Sequence, residues 1–342
     1  MRVIVVFLLA VIGAAVQAAD TEPPGLRPQL ERLAADIASE LSRLCPPAAP
    51  GDQTAFDRCR QGLFQDSLLK RNLSPVILWG RRHQDAAASL KETNLTQFAP
   101  DVLAGLYLPL FMFNGRHTME YDPWENLFLV RLDTAFRNRL APGQFPYPFW
   151  HDETKWNTYQ RANSLMLWID PKTVKVSIAQ FTDRGTSPSI VSTEPVQPPR
   201  FEDRWMWSDA TGRVQPQVTL FDGLFRPENP YLLKLDVAYK ELALKMRDAQ
   251  CDGCHVPSNP EGIKRLVLLQ TPAHAAGEIQ RLMKAVREDR MPLDETGIEQ
   301  PLDGKLKAAL LEKGSAFEAL VRSAKEWEAK KQAQQTRQAW GF

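Results

Sequence analysis

In the C-terminal third the chain reads Cys251-Asp252-Gly253-Cys254-His255. Two thiols three positions apart can each form a thioether to one of the two vinyl groups of a haem, and the next residue then offers an imidazole to the iron. CxxC pairs also bind zinc, but a zinc site takes further ligands, and the sequence has neither a second CxxC nor an HxxxH. A thioredoxin-like redox pair follows a strand of a βαβ unit, whereas the residues before Cys251 have helical periodicity. The spacing therefore predicts one covalent haem c on Cys251 and Cys254, with His255 as an axial ligand.

Haem attachment of this kind takes place outside the cytoplasm in bacteria, and the start of the chain agrees with export. Arg2 precedes an apolar run from Val3 to Val16, and small residues follow at Ala18 and Ala19. This is the pattern of a secretory signal peptide over residues 1–18, cleaved after Ala18. The run is short for a membrane span, which takes about 20 residues; a retained anchor is the alternative. No later segment is long and apolar enough to span a bilayer, so the mature chain is expected in the periplasm without a transmembrane span. Among 342 residues, Lys and Arg number 42 against 41 Asp and Glu. That balance argues against non-specific nucleic-acid binding, which needs a basic surface.

Helices must carry the motif. Leu30, Leu33, Ile37, Leu41 and Leu44 recur at three- and four-residue steps, one apolar stripe that Cys45 closes and Pro46-Pro47 stop. A second amphipathic segment carries Phe56, Cys59, Leu63 and Phe64. The two read as an antiparallel helical hairpin with Cys45 and Cys59 near its turn, placed to form a structural disulfide. Residues 98–113 are apolar and fit helix or buried strand. Leu127–Leu132 reads as extended, and Glu153–Ala162 as a short helix. Leu165–Ile169 and Val174–Phe181 flank Asp170-Pro171-Lys172-Thr173, a β-hairpin signature. After the Pro-containing stretch Arg226–Pro230 the chain is helical to its end.

The C-terminal stretch, roughly residues 230–330, resembles the class I c-type cytochromes. In that family a helix leads into CxxCH, a loop and a second helix follow, and a methionine loop ligates the iron from the other side before a final helix. Here Leu232–Ala249, Pro272–Arg290 and Leu306–Trp327 match the helices, and Ala243 stands where the family has a small residue for close helix crossing. The resemblance implies that Met291, followed by Pro292, is the second axial ligand. His274 is a competitor, but it lies roughly 130° from the Ile279/Leu282/Val286 face; Met283 and Met246 read as core, and an open iron is the remaining alternative. Pro257 or Pro260 would offer a carbonyl to the ring N–H of His255.

The expected fold class is α+β: an N-terminal helical hairpin and a small mixed α/β sheet region, followed by an all-α cytochrome c domain. The expected divisions are residues 1–18, 19–225 and 226–342. Residues 19–225 carry no nucleotide-binding, hydrolase or metalloprotease motif. His83, His117 and His151 are scattered, and the aromatic clusters 145–150 and 204–207 read as buried packing. The expected function is electron transfer to a redox partner protein, more a carrier than a catalyst. A periplasmic oxidoreductase with the haem as electron outlet, and a haem-based sensor with an open iron, are the alternatives.

Overall fold

In the computed structural model, residues 21–79, 96–123, 125–140, 144–145, 153–185, 190–191, 193–198, 221, 224–251, 272–294 and 296–340 are described. Helix α1 (Arg27–Leu44) buries Leu30, Ala34, Ile37, Ala38 and Leu41 along one side. Its chain turns away at Cys45, whose carbonyl accepts a hydrogen bond from Phe113 N at 2.9 Å. Asp52 caps α2 (Gln53–Gln65) by accepting from Ala55 N, as a short polar side chain at a helix start does. Cys45 and Cys59 are joined as a disulfide. The short helix α3 (Leu68–Arg71) is fixed to α1 by Glu40, which accepts from Leu68 N at 2.7 Å and Leu69 N at 3.0 Å.

A six-stranded mixed sheet forms the centre. Its strands are β1 (Leu73–Trp79), β2 (Thr96–Phe98), β3 (Phe111–Asp122), β4 (Leu127–Phe136), β5 (Ser164–Asp170) and β6 (Lys175–Thr182), in the order β2-β1-β6-β5-β4-β3. All neighbours are antiparallel except β1 and β6, which are parallel. The β5–β6 turn is held by Asp170, whose side chain accepts from Lys172 N at 2.8 Å and whose carbonyl accepts from Val174 N. Between β2 and β3 lie α4 (Pro100–Val102) and two tight turns over Leu103–Leu110 whose side chains are buried. Helix α5 (Glu153–Gln160) brings Trp156 and Tyr159 against Phe136, with ring centroids 5.5 and 5.9 Å apart.

Three helices complete the chain: α6 (Leu232–Asp248), α7 (Pro272–Arg287) and α8 (Gly304–Trp340). No helix among the described residues is long and apolar enough to cross a membrane.

The expected fold class is corrected. The sheet is not a small region beside a helical hairpin; it is the six-stranded centre, and α1 lies on β3 more extensively than on α2, while α2 packs on the turns at Leu103–Leu110. Nor do the C-terminal helices form an all-α body of their own. Helix α7 packs against α4, where Glu278 accepts from Ala99 N, and α8 reaches α2 through Gln65 and Glu328. One apolar core runs from Leu30 through the sheet to Ala324. The physical reason is that an apolar stripe fixes which side of a helix is buried but not what buries it. The signal-peptide segment, residues 1–18, lies outside the described residues.

Candidate functional site

Helices α6 and α7 both run antiparallel to α8, so their C-terminal ends lie toward the same end of it. On α6, the Asn229 amide preceding the helix donates to Ala324 O and Glu328, the Tyr239 ring lies 5.6 Å from Phe317, and Glu241 pairs with Lys313 at 3.1 Å. Moving forward along α6 is moving backward along α8. On α7, Met283 packs against Gly314, and Lys307 reaches Arg287 O at 3.2 Å and Asp289 at 2.6 Å. The same reversal holds. The ends of α6 and α7 therefore both point toward the first turns of α8, and each carries one of the predicted site residues just beyond it.

Beyond α6, Gln250 takes a positive φ of 55° and Cys251 follows with its side chain half-buried. The Cys45–Cys59 disulfide accounts for two of the four cysteines, which leaves Cys251 and Cys254 as the other pair. Cys254, His255, Pro257 and Pro260 lie outside the described residues, as do His83, His151 and the clusters at 146–150 and 204–207. His117 sits half-buried on β3, its Nδ1 3.4 Å from Gly115 O. His274 belongs to α7, with its side chain outside the described set.

The methionines separate clearly. Met246 and Met283 are buried in the core, 1% and 2% exposed. Met291 is 37% exposed in the loop between α7 and α8. A flexible thioether left at the surface is available as a soft ligand.

That loop is built by one carboxylate that sequence reasoning did not single out. Asp294 Oδ1 accepts from Thr296 N, Thr296 Oγ1 and Ile298 N at 2.7–2.9 Å, and Oδ2 accepts from Gln300 Nε2 at 3.0 Å. These donors, Thr296 Oγ1 foremost, lower its pKa to about 2. Gln300 N also donates to Pro292 O at 2.9 Å, closing the loop one residue after Met291. The signal was present as an Asp two residues before Thr296, the spacing of a side-chain turn.

Among the described residues no three His, Cys, Asp or Glu side chains gather in a way that could hold a metal ion. Just beyond α6 stands a thiol at Cys251, and in the loop after α7 a thioether at Met291. Comparisons of the chain with protein-family models, with curated proteins and with solved structures find no match.

Proposed function

We propose that the chain is an exported mono-haem c-type cytochrome that transfers electrons in the periplasm. Cys251 and Cys254 would hold the haem c covalently, and His255 and Met291 would ligate its iron. The observation that carries this reading is the shared antiparallel run of α6 and α7 along α8, which turns the Cys251 and Met291 ends of the two helices the same way. The free surface of Met291, against the buried Met246 and Met283, supports it as the ligand. A His/Met-ligated haem c supplies one-electron chemistry at raised potential with no open coordination position. The chain's own part is to present the sulfur of Met291 from a loop that Asp294 fixes. The Cys45–Cys59 disulfide supports an oxidising compartment. The partner is a redox protein, not a nucleic acid.

Expression with haem-maturation machinery tests this. The denatured protein should carry the mass of one haem, and Cys251→Ser with Cys254→Ser should lose it. The oxidised spectrum should be low-spin, with a near-red methionine–iron band that disappears in Met291→Ala. Absence of covalent haem overturns the reading. A band that survives in Met291→Ala overturns the ligand, and a high-spin resting spectrum that shifts with carbon monoxide overturns the electron carrier.

A further inference from the structure

The segment 291–300 folds back on itself beyond the end of α7. Leu293 and Glu299 form an antiparallel bridge, Gln300 N donates to Pro292 O and Asp294 N to Ile298 O, each at 2.9 Å. Gly297, at a φ of 84°, makes the turn at the tip, where its N–H donates to Asp294 O at 3.0 Å. Burial does little to hold this shape. Leu293 is 40% exposed and Ile298 62%, and apolar side chains stabilise by the area they remove from water. What holds it is polar, and four of the bonds converge on the Asp294 carboxylate, from Thr296 N, Thr296 Oγ1, Ile298 N and Gln300 Nε2. Bonds to an ionised acceptor are about twice as strong as neutral ones.

Met291 stands between two anchors. On one side, just past α7, Asp289 pairs with Lys307 of α8 at 2.6 Å and Arg290 N donates to Ala285 O at 2.9 Å. On the other side the folded segment begins at Pro292, one residue on. Asp303 then caps the start of α8, accepting from Lys305 N at 3.0 Å and Leu306 N at 3.2 Å. With both helix ends fixed, the freedom left to Met291 is that of residues 292–300, and Asp294 is the group that removes it.

We propose that Asp294 is the positioning residue for Met291, and that it governs how readily an outside ligand takes the place of the Met291 thioether. This rests on Met291 being the sulfur ligand of the haem c, as proposed above. Asp294 touches no ligand itself; it acts through the loop. An outside ligand enters only from arrangements in which the loop has swung away, so its apparent affinity scales with their population. Each bond taken from the Asp294 carboxylate raises that population.

Imidazole titration of the full haem-loaded chain, followed by absorbance, tests this. The parent should show the near-red methionine–iron band. Asp294→Ala should raise the apparent imidazole affinity about tenfold, the equivalent of one hydrogen bond to a charged group, with its far-ultraviolet circular dichroism unchanged. Asp294→Asn keeps an oxygen for Thr296 and Ile298 and should stay within about threefold of the parent. Glu299→Gln removes a neighbouring charge but no member of the network and should match the parent. If Asp294→Ala fails to fold, Thr296→Val, which removes one donor to the carboxylate, should raise the affinity about threefold. An affinity unchanged in Asp294→Ala and Thr296→Val, or raised equally in Glu299→Gln, overturns the positioning role and leaves the haem reading intact. A parent without the band overturns Met291 as the ligand and this inference with it.

Discussion

Met283 of α7 lies so close against Gly314 of α8 that a Cβ added at Gly314 would overlap the Met283 sulfur. The contact sets how near the two helices come, and it commits the Met283 thioether to packing. Gly314→Ala gains about 1 kcal/mol of helix propensity but overfills a core site, at a cost of about 1–3 kcal/mol. The net expectation is a loss of about 1 kcal/mol. In a Met283→Ala background the overlap is gone, and the same substitution should stabilise by about 1 kcal/mol. Urea unfolding of the four proteins checks this. The same sign in both backgrounds would show that the sulfur does not decide the spacing.

The Cys45–Cys59 disulfide closes a loop with a sequence separation of 14 and ties the end of α1 to the middle of α2. Cross-linking a loop of this size restricts the unfolded chain by about 3 kcal/mol. Cys45→Ser with Cys59→Ser should therefore lower stability by about that amount while leaving the far-ultraviolet circular dichroism unchanged. The helices are held independently of it: α1 by the sheet, α2 by the Leu103–Leu110 turns. Loss of helical signal in the double variant would show that the bridge is needed to form these helices.

The helices were legible in the sequence because apolar spacing and stops such as Pro46-Pro47 are local. Partners were not. Strand β1 went unread: Pro75 removes a ladder donor, the register shifts between Leu73 and Leu78, and its parallel partner β6 lies some hundred residues on. Strand β3 continues past Phe113 through the polar run Asn114–Asp122, which alternates too weakly to announce a strand. The fold class was misread for the same reason, since neither α1 on β3 nor α7 on α4 leaves a mark in either segment alone. The Asp101–Lys325 ion pair was invisible because the two residues are 224 apart.

Glu278 makes an opposite pH dependence to that of ordinary carboxylates. It is fully buried on α7, accepts from Ala99 N at the start of α4 and pairs with Arg281 at 2.9 Å. Burial raises its pKa above the usual carboxylate value of 4.5 despite these partners. The folded state thus holds the proton more tightly than the unfolded chain. Its contribution to stability is present at low pH and falls as pH rises from the unfolded value through the raised folded one. Asp101, lowered from 3.8 by Lys325 and Lys70 in spite of burial, acts in the other sense, losing its contribution as pH falls. Glu278→Gln keeps an acceptor for Ala99 N and removes the titration. Unfolding free energies measured from pH 4 to 8 should decline less with rising pH in Glu278→Gln than in the parent. Parallel curves would show that folding leaves the Glu278 pKa unchanged.

Arg137, the residue after β4, is completely buried, and its Nε, Nη1 and Nη2 find no hydrogen-bond partner among the described residues. Its backbone N–H is satisfied by Leu110 O at 2.8 Å, so the backbone fixes the position and the side chain carries the cost. Burial lowers its pKa to about 10, with the Asp52 carboxylate only partly opposing. The folded state therefore disfavours the charged form. The cost is fully present at neutral pH and is relieved only as pH rises above about 10. An unpaired buried charge is usually worth removing: replacing such groups by apolar residues of similar volume stabilises proteins by about 1–4 kcal/mol. Arg137→Met should then raise the unfolding free energy by an amount in that range, measured by urea at pH 7. Arg137→Lys should give no gain, because it keeps a charge in the same place. If Arg137→Met instead destabilises the isolated protein, the guanidinium must be satisfied in solution by a bound anion or water. A chloride or phosphate dependence of the parent's stability, absent from the variant, would identify which.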